Sequence, residues 1–536
     1  MAGFADLSTE LVEQIFLAAL QGSPTSNAQQ LQRLQLVNSS FEAPARRLLF
    51  RWVTIDSPAK GTALLRTLEA NPTFGGYIRS LIVKDGAFTQ PSVFSDISQD
   101  DLLRLSPNLQ VLDSPYTSFA PLSDGRQPLV NYPATLRSCA PGVPHSNHRI
   151  ASYSDDESDD DYVSQQQQST QDYTRVLSSL PANLTSLKLS KLPDNTLPFN
   201  PPSTVFPLQH LTSLSLDFVT VSPSVFTWIA EANNLEKVQL WCTRGLTEKD
   251  IVQFVQKVGR SIKSFLFKPK GGKQGSNPGN LLVGHLPKLE NLTLGDKACD
   301  HNVYSNLPST LRTLCVSLPT HHANARLMPV ATEINSRLTK LVRLELYSHL
   351  YFPPPLDIAY PPPESGDPSS LRELRLSHIV AAPGQLEAFL AAVGSSLYTL
   401  AMHHISVNPT SLLPSCPSLR RLELGAHHYT LPVPSFFDYV SSQHLNYVRI
   451  HFAAGVNLAH LVSTSPSLAS KGLQTLELVG VFPQDLDDEW LSGKSIDALV
   501  EACEDGKVEF LVNSRSTGTM GELWRALVGQ TGRETL

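Results

Sequence analysis

The sequence has few of the features that mark secreted, membrane and nucleic-acid-binding proteins. Its six cysteines include no C-x-x-C pair, which argues against a zinc site and against a disulfide framework. No segment approaches the roughly 18 uninterrupted apolar residues of a membrane span, and MAGFADLSTELVEQ lacks the regions of a signal peptide. No clustered basic run marks a nucleic-acid-binding face. We expect an intracellular protein, cytoplasmic or nuclear, with reduced cysteines and neither nucleic acid nor membrane as a partner.

Enzyme signatures are also missing from the sequence. GGKQGSNPGN at 271–280 is rich in glycine but lacks the Lys-Ser/Thr ending of a P-loop. Histidines crowd the later repeats, from His349 to His451, without cysteine or carboxylate at a fixed ligand spacing, which favours solvated histidines over a metal site. We expect a protein that is not an enzyme and needs no metal or cofactor.

One phrase, L-x-x-L-x-L with Val, Ile, Phe or Met allowed for Leu, recurs along most of the chain. Its spacing runs from 22 residues (Leu289 to Leu311) to 30 residues (Leu341 to Leu371), which is the period of leucine-rich repeats. The frames begin at Leu184, Leu211, Leu235, Ile262, Leu289, Leu311, Leu341, Leu371, Leu397, Leu419, Leu445 and Leu473, with weaker copies at Ile78, Leu109 and Leu136. The expected fold class is an α/β solenoid, a leucine-rich-repeat horseshoe with a curved parallel sheet, preceded by a small three-helix module.

The frames and the composition divide the chain into five segments. These are a helical module (1–55), degenerate first repeats (56–140), an acidic, Gln-rich disordered insertion (141–175), the repeat solenoid (176–512) and a carboxyl-terminal helix or tail (513–536). The insertion contains YSDDESDDD, in which Ser154 and Ser158 each precede acidic residues, the preference of acidophilic kinases. Both serines are candidate phosphorylation sites, and an unmodified, solvated loop is the alternative.

Three short helices are predicted before the first repeat. LSTELVEQIFLAAL (7–20) has apolar residues at helical spacing, with Ser8 placed to cap it. Asn27 and Gln30 resemble a capping box that opens AQQLQRLQLV, and NSSFEAPARRLLFRWVTI predicts a third helix running into a strand. Helices this small cannot bury a large core, so their exposed apolar face needs a partner.

These helices resemble the F-box, the adaptor-binding motif of substrate receptors in SCF ubiquitin ligases, through ADLSTELVEQIF and LQRLQLVNSSFEAPARRLLFRWVTI. With TLEANPTFGGYIRSLIV (67–83), the resemblance extends to fungal F-box proteins with leucine-rich repeats. The chain departs from the family at Ser8, where Pro is usual, and in the loop 21–27, which is longer than in many members. Phe41 stands where the family often has Trp. The resemblance implies a Skp-type adaptor and a cullin as partners. It implies these adaptor-binding residues: Leu7, Glu10, Leu11, Ile15, Phe16, Leu34, Val37 and Phe41.

Two other interpretations of the chain stay open. The helices can serve as a cap that seals the end of the repeats, which makes the chain an adaptor-independent interaction scaffold. A hydrolase with an unrecognised site is the alternative from another functional class, and turnover by the isolated chain would favour it.

A substrate-binding face is predicted on the side of the strands opposite the leucines. Side chains alternate along a strand, so the third, fifth and seventh frame positions share that side, which would be concave. The fifth positions from Glu345 to Glu477 nearly alternate in sign, so their charges either pair with one another or form a polar docking face for an unknown protein substrate. Trp241 and Tyr447 on this side are the candidate anchors. The candidate residues are Trp241, Arg343, Tyr347, Arg375, His403, Arg421, Tyr447 and Arg449.

Overall fold

A computed structural model describes a defined subset of the residues. These are 8–19, 24–37, 39–83, 99–113, 132–140, 180–181, 183–190, 208–217, 232–241, 248–268, 282–295, 303, 306–318, 338–348, 370–377, 385–403, 412–425, 445–451, 473–479 and 509–513. The candidate phosphorylation sites Ser154 and Ser158, and nearly all of the predicted carboxyl-terminal tail, lie outside them. The chain forms two compact units, Met1–Ile262 with Pro269–Gly271 and Lys263–Lys268 with Gly272–Leu536.

The first unit begins with three helices, α1 (Thr9–Ala19), α2 (Pro24–Val37) and α3 (Ser39–Arg51). Ser8 caps α1 as predicted, because its Oγ accepts a hydrogen bond of 3.4 Å from the backbone N–H of Leu11. The three helices share a small apolar core made of Val12, Phe16, Leu31, Ala45 and Leu48. The predicted three-helix module therefore exists as a packed structure.

Helix α2 begins earlier than its sequence suggested. The capping-box interpretation placed the start near Asn27, whereas the helix starts at Pro24 and includes Asn27 in its interior. Proline is favoured at the first helical position, because its fixed φ suits a helix and its missing N–H has no partner to lose there. The prediction was wrong because it gave Asn27 and Gln30 more weight than Pro24.

The rest of the first unit is a parallel sheet of strands joined by return segments. The strands are β1 (Trp52–Ile55), β2 (Ser80–Val83), β3 (Val111–Asp113), β4 (Ser138–Ala140), β5 (Ser186–Ser190), β6 (Ser213–Asp217) and β7 (Lys237–Trp241). Each strand from β1 to β6 pairs in parallel with the next one in the chain. The described return helices are α4 (Pro58–Ala70), α5 (Pro72–Gly75), α6 (Gln99–Arg104) and α7 (Glu248–Val258), and Leu208–His210 forms a 3-10 turn.

The second unit repeats this arrangement. Its strands are β8 (Ser264–Lys268), β9 (Asn291–Leu294), β10 (Thr313–Leu318), β11 (Arg343–Ser348), β12 (Glu373–Ser377), β13 (Thr399–His403), β14 (Arg421–Gly425), β15 (Tyr447–His451), β16 (Thr475–Val479) and β17 (Glu509–Asn513). Each pairs in parallel with the next. The described returns are α8 (Gln385–Val393) and two 3-10 turns, Gly394–Ser396 and Leu413–Ser415. Helices α7 and α8 each lie between two successive repeat frames, as the return segments of leucine-rich repeats do.

The strands follow the predicted repeat frame without a register shift. In all fifteen predicted frames, a described strand begins two residues after the first position, as in Leu371 and β12 or Ile78 and β2. The fourth positions align across the second unit, so that Leu344 lies beside Leu374 and Leu374 beside Leu400. These leucines are buried. Repeat period, parallel pairing and buried leucines confirm the predicted α/β leucine-rich-repeat fold.

Hydroxyl side chains just before several of the frames link successive repeats. The Ser396 Oγ donates a hydrogen bond of 2.8 Å to the carbonyl of Leu371, and the Ser370 Oγ donates one of 2.7 Å to the carbonyl of Leu341. Thr310 makes the equivalent bond of 2.7 Å to Leu289. These hydroxyls satisfy carbonyl groups in the turn that leads into each strand, which would be costly to leave unpaired in a buried position.

Candidate interaction surfaces

Helix α1 presents apolar side chains on the side away from its core. Val12 and Phe16 are buried, whereas Leu11 is 48% exposed and Ile15 is 41% exposed. Glu10 is exposed, and its carboxylate lies 3.9 Å from the guanidinium of Arg47. The predicted adaptor-binding stripe therefore divides into an exposed part and a buried part.

Three residues of the predicted adaptor set lie inside the helical module. Phe16 is 5% exposed and makes an edge-to-face contact with Phe41, with ring centroids 5.3 Å apart. Leu34 and Phe41 pack against the same core. Val37 at the end of α2 is exposed, whereas Leu7 lies outside the described residues.

Helix α3 joins the module to the first repeat. The rings of Phe50 and Phe74 stack with centroids 4.8 Å apart, and the Arg46 guanidinium lies 5.7 Å from the Phe74 ring centroid. The Arg47 guanidinium lies 5.6 Å from the ring of Tyr77 and 3.3 Å from the carboxylate of Glu13. Sequence reasoning placed no role on these residues, although Phe74 and Tyr77 lie in the phrase that resembles fungal F-box proteins.

In the second unit, the polar face of the sheet balances its own charges. At the third and fifth frame positions, strands β11 to β16 carry four arginines and four glutamates, all on the same side. Two of the ion pairs lie within one strand, since Arg375 Nε is 2.7 Å from the carboxylate of Glu373 and Arg421 Nη2 is 2.9 Å from that of Glu423. Arg343 bridges two strands, since it lies 3.2 Å from Glu345 and 3.7 Å from Glu373.

This pairing is the self-neutralising alternative that the sequence left open. Burial alone would lower the pKa of Arg375, but its hydrogen bond to Glu373 and the charges of Glu373, Glu423 and Glu345 outweigh burial and raise it. Ala401, which interrupts the charged row on β13, lies between Arg375 and Glu423 in the strand register and is fully buried. The predicted contacts of Arg343, Arg375, Arg421 and Arg449 with a substrate would therefore compete with these ion pairs.

Tyr447 belongs to the same network. Its hydroxyl donates a hydrogen bond to the carboxylate of Glu477 on the next strand, and the Arg449 guanidinium lies 3.5 Å from the same carboxylate. The Arg421 guanidinium lies over the Tyr447 ring, 4.1 Å from its centroid. Burial first, and then Glu477, raise the pKa of Tyr447 to about 12. Tyr447 is held inside the polar face instead of standing free above it.

Other predicted residues of this face make close contacts too. The Lys268 ammonium lies 4.8 Å from the ring centroid of Tyr347. The imidazole of His403 lies over Gly425 on the next strand, where a Cβ would be 2.3 Å from its Nδ1. A glycine at 425 is thus required for His403 to reach across β14. Among the described residues, no group of three His, Cys, Asp or Glu side chains is placed to hold a metal ion.

The polar face of the first unit has a different composition. Its third positions include Ser80, Ser138, Ser186 and Ser213, which are aligned with one another through the strand register. The predicted anchor Trp241 lies on this side at the end of β7, beside Asp217 on β6, and is 43% exposed. Trp241 thus has the exposure that an anchor requires.

The described cysteines are free thiols in or near the core. Cys139 and Cys416 are buried and Cys315 is partly buried. Burial raises the pKa of Cys416 to about 12, and burial followed by the charge of Glu345 raises that of Cys315 to about 11. These thiols are poor nucleophiles at neutral pH. No helix among the described residues is long and apolar enough to cross a membrane.

Comparison with known proteins gives structural similarity without a close relative. No protein-family model matches the chain, and no curated protein matches it. Solved structures similar to it include a chain of the mouse RP105/MD-1 complex. The similarity covers 82% of this chain and 83% of the other, at 13% sequence identity and a TM-score of 0.35. The similarity to an internalin (inlF) of Listeria monocytogenes covers 64% of this chain and 78% of the internalin, at 13% sequence identity and a TM-score of 0.29. The similarity to a chain of the yeast Rad7 and Elc1 complex covers 88% of this chain and 97% of the other, at 14% sequence identity and a TM-score of 0.37.

Those similarities are too low to argue from, so the assignment depends on the chain itself. Its repeat frame, its parallel strands and the alignment of its buried leucines agree with one another over both units. On that basis the chain has a leucine-rich-repeat fold.

Proposed function

We propose that this protein is the substrate-recruiting subunit of an SCF-type ubiquitin ligase. In this role, the amino-terminal helices bind a Skp-type adaptor and the repeats bind a protein substrate. The observation that carries the proposal is the exposure of Leu11 and Ile15 on α1, while Val12 and Phe16 of the same helix hold the module together. Apolar side chains left exposed on a small helical module favour a partner surface.

The attachment of the module supports the same conclusion. Among the described residues, α3 contacts the first repeat through Phe50, Arg46 and Arg47 against Phe74 and Tyr77. A module that served as an end cap would have no need of an apolar surface on α1. The resemblance of the same helices to the F-box supplies the identity of the partner, a Skp-type adaptor linked to a cullin.

The proposed mechanism is proximity, and the chain itself catalyses nothing. One end holds the adaptor and cullin, the repeats hold the substrate, and a ubiquitin-loaded enzyme elsewhere in the assembly carries out the transfer. Holding two reactants together in this way replaces a bimolecular encounter by an effectively unimolecular one.

A pull-down with purified Skp-type adaptor tests the proposal. The wild-type chain should bind, and Leu11→Asp/Ile15→Asp should weaken binding at least about thirtyfold, because two apolar contacts are lost and two carboxylates face the interface. Val342→Asp is the matched control, since Val342 is 40% exposed in the second unit and should leave adaptor binding unchanged. Circular dichroism checks that all the variants are folded.

The outcomes separate the competing functions. A folded wild-type chain that binds no adaptor at micromolar concentration would refute the ligase role and favour the adaptor-independent scaffold. Equal binding by wild type and the α1 double variant would show that α1 is not the adaptor surface. Substrate turnover by the purified chain would favour a hydrolase.

A further inference from the structure

A row of residues in the second unit alternates between arginine and apolar side chains at the edge where the strands begin. The row occupies the second frame position of five consecutive repeats: Arg312, Val342, Arg372, Tyr398 and Arg420. From Val342 onward, the backbone N–H of each member donates a hydrogen bond to the carbonyl of the preceding member. The bonds from Val342 to Arg312 and from Arg372 to Val342 are both 2.8 Å long. The same bonds join Tyr398 to Arg372 over 2.8 Å and Arg420 to Tyr398 over 3.0 Å. The row, here called the basic edge, therefore has fixed spacing.

Most of the basic edge is exposed, and its charge is positive. Arg312 and Arg372 are exposed, as is Lys340 two residues before Val342, whereas Arg420 is partly buried. Val342 is 40% exposed and Tyr398 is 51% exposed, so apolar surface lies between the cations. The carboxylate at the equivalent position of the preceding repeat, Glu290, is partly buried.

The charges of Arg312 and Arg372 are not cancelled by the neighbouring polar face. The four glutamates on strands β11 to β16 are matched by four arginines of that face, as in the pairs of Arg375 with Glu373 and Arg421 with Glu423. Arg372 is also held in place, because its Nη1 donates a hydrogen bond of 3.2 Å to the carbonyl of Ser396. An ordered guanidinium loses less side-chain entropy when it binds a carboxylate.

The spacing of the cations fits an extended peptide. Neighbouring strands lie about 4.8 Å apart, so arginines on alternate strands repeat at roughly 9.6 Å. A peptide in the polyproline II conformation returns to the same face every third residue, over about 9.3 Å. Carboxylates at every third position of such a peptide would meet Arg312, Arg372 and Arg420 in turn, while the residues between them cover Val342 and Tyr398.

We propose that the basic edge binds an acidic segment of a partner protein in extended conformation, with Glu or Asp at every third residue. The guanidinium of arginine forms bidentate hydrogen bonds with a carboxylate, and the ring of Tyr398 supplies a flat surface for the intervening residues. The identification of this partner as the substrate rests on the proposed function, whereas the binding of the peptide does not.

Fluorescence anisotropy of a labelled peptide of four Glu-Pro-Pro triplets, titrated with the full chain, tests the proposal. We expect micromolar affinity that weakens as salt is raised through the physiological range. Arg312→Glu/Arg372→Glu should weaken binding about tenfold or more, since two attractions become repulsions. Lys257→Glu/Arg260→Glu, which reverses two exposed cations at the end of α7, should leave it unchanged.

Two further probes sharpen the test. A peptide of the same composition with its four glutamates contiguous should bind more weakly, and Gln-Pro-Pro triplets should not bind detectably. Equal binding of the contiguous peptide, no effect of the Arg312/Arg372 reversal, or tighter binding of a single-stranded oligonucleotide of equal charge would each overturn the proposal. The assay contains no adaptor, so peptide binding without adaptor binding would refute the proposed function and leave this inference standing.

Discussion

The guanidinium of Arg421 lies over the ring of Tyr447 on the neighbouring strand, 4.1 Å from the ring centroid, while the Tyr447 hydroxyl donates to Glu477 on the strand beyond. One tyrosine thus connects three successive repeats through a cation–π contact and a hydrogen bond to a charged acceptor. Such contacts are worth more between partly buried groups than between fully exposed ones. We expect Tyr447 to stabilise the second unit more than an exposed binding anchor would.

Stability should depend on pH through Tyr447. Its pKa is raised, by burial first and then by Glu477, to about 12, from about 10 in an unfolded chain. The protonated phenol is therefore favoured in the folded state, so its stabilisation is complete below about pH 10 and is lost as the pH rises toward 12. Near neutral pH, the free energy of unfolding of wild type should exceed that of Tyr447→Phe by about 1 kcal/mol, and the difference should vanish toward pH 12.

Denaturant unfolding of both proteins between pH 8 and about pH 12 measures this difference. The variant Glu477→Gln keeps a hydrogen-bond acceptor but removes the charge, so Tyr447→Phe should show a weaker pH dependence in that background. The same pH dependence in both backgrounds would show that Glu477 does not raise the pKa of Tyr447.

The sequence predicted the strands well because the apolar residues that define the repeat frame are the residues that are buried in the core. Apolar residues, mostly leucine, occupy the fourth and sixth positions and fill the core in the described repeats, so their spacing determines where each strand lies. Strand β17 is the instructive exception, since Phe510 and Val512 align with Leu476 and Leu478 but Lys507 stands where the first Leu belongs. The frame requires apolar residues at its first, fourth and sixth positions, so residues 507–512 do not match it and β17 was not predicted from the frame.

Side-chain partners could be predicted less well than strands. The alternating signs at the fifth positions suggested pairs between adjacent strands, but several ion pairs join the third and fifth positions of one strand, as in Arg375 with Glu373. Sequence fixes which face a side chain occupies, whereas its rotamer and partner depend on the surrounding packing. For the same reason, the sequence predicted the exposed stripe of α1 but could not show that Phe16 turns inward.

Gly394 is a position where a methyl group should disrupt the second unit. A Cβ at residue 394 would lie 2.4 Å from the carbonyl oxygen of Ser415 and 2.9 Å from the sulfur of Cys416, both in the next repeat. We expect Gly394→Ala to lower the free energy of unfolding by about 1–3 kcal/mol, since the backbone must move to relieve the overlap. Gly284→Ala in the same unit is the control, because no atom lies within 4 Å of its Cβ position. Equal stability of the two variants, measured by denaturant unfolding, would contradict the close packing at Gly394.

The hydroxyl groups that precede the frames should contribute measurably to stability. Ser396 is 6% exposed, and its Oγ donates a hydrogen bond of 2.8 Å to the carbonyl of Leu371. Ser396→Ala should lower the free energy of unfolding by about 1 kcal/mol, because the carbonyl loses its partner in a buried site. At Thr310, the Ala variant should be destabilised and the Ser variant should not, since serine keeps the hydroxyl that bonds to Leu289. If Thr310→Ser were as destabilised as Thr310→Ala, the lost methyl group and not the hydrogen bond would be the cause.

Trp241 and Tyr447 were predicted together as binding anchors, and the structure separates them. Trp241 is 43% exposed at the end of β7, whereas Tyr447 is committed to Arg421 and Glu477. We therefore expect Trp241→Ala to weaken capture of the protein partner by about thirtyfold, the loss typical of an interface anchor, and to lower the unfolding midpoint less than Tyr447→Ala does. Tyr447→Ala should lower the unfolding midpoint as well.

Trp52 provides the matched control for Trp241. It is 49% exposed on β1 of the same unit, and the Arg51 guanidinium lies 5.1 Å from its ring. Affinity capture from one lysate with wild type, Trp241→Ala and Trp52→Ala, quantified by mass spectrometry, compares two tryptophans of similar exposure. Since Trp241 lies on the repeats, its variant should also keep full binding to a Skp-type adaptor. Unchanged yields with Trp241→Ala, or an equal loss with Trp52→Ala, would show that the substrate contacts some other part of the repeats.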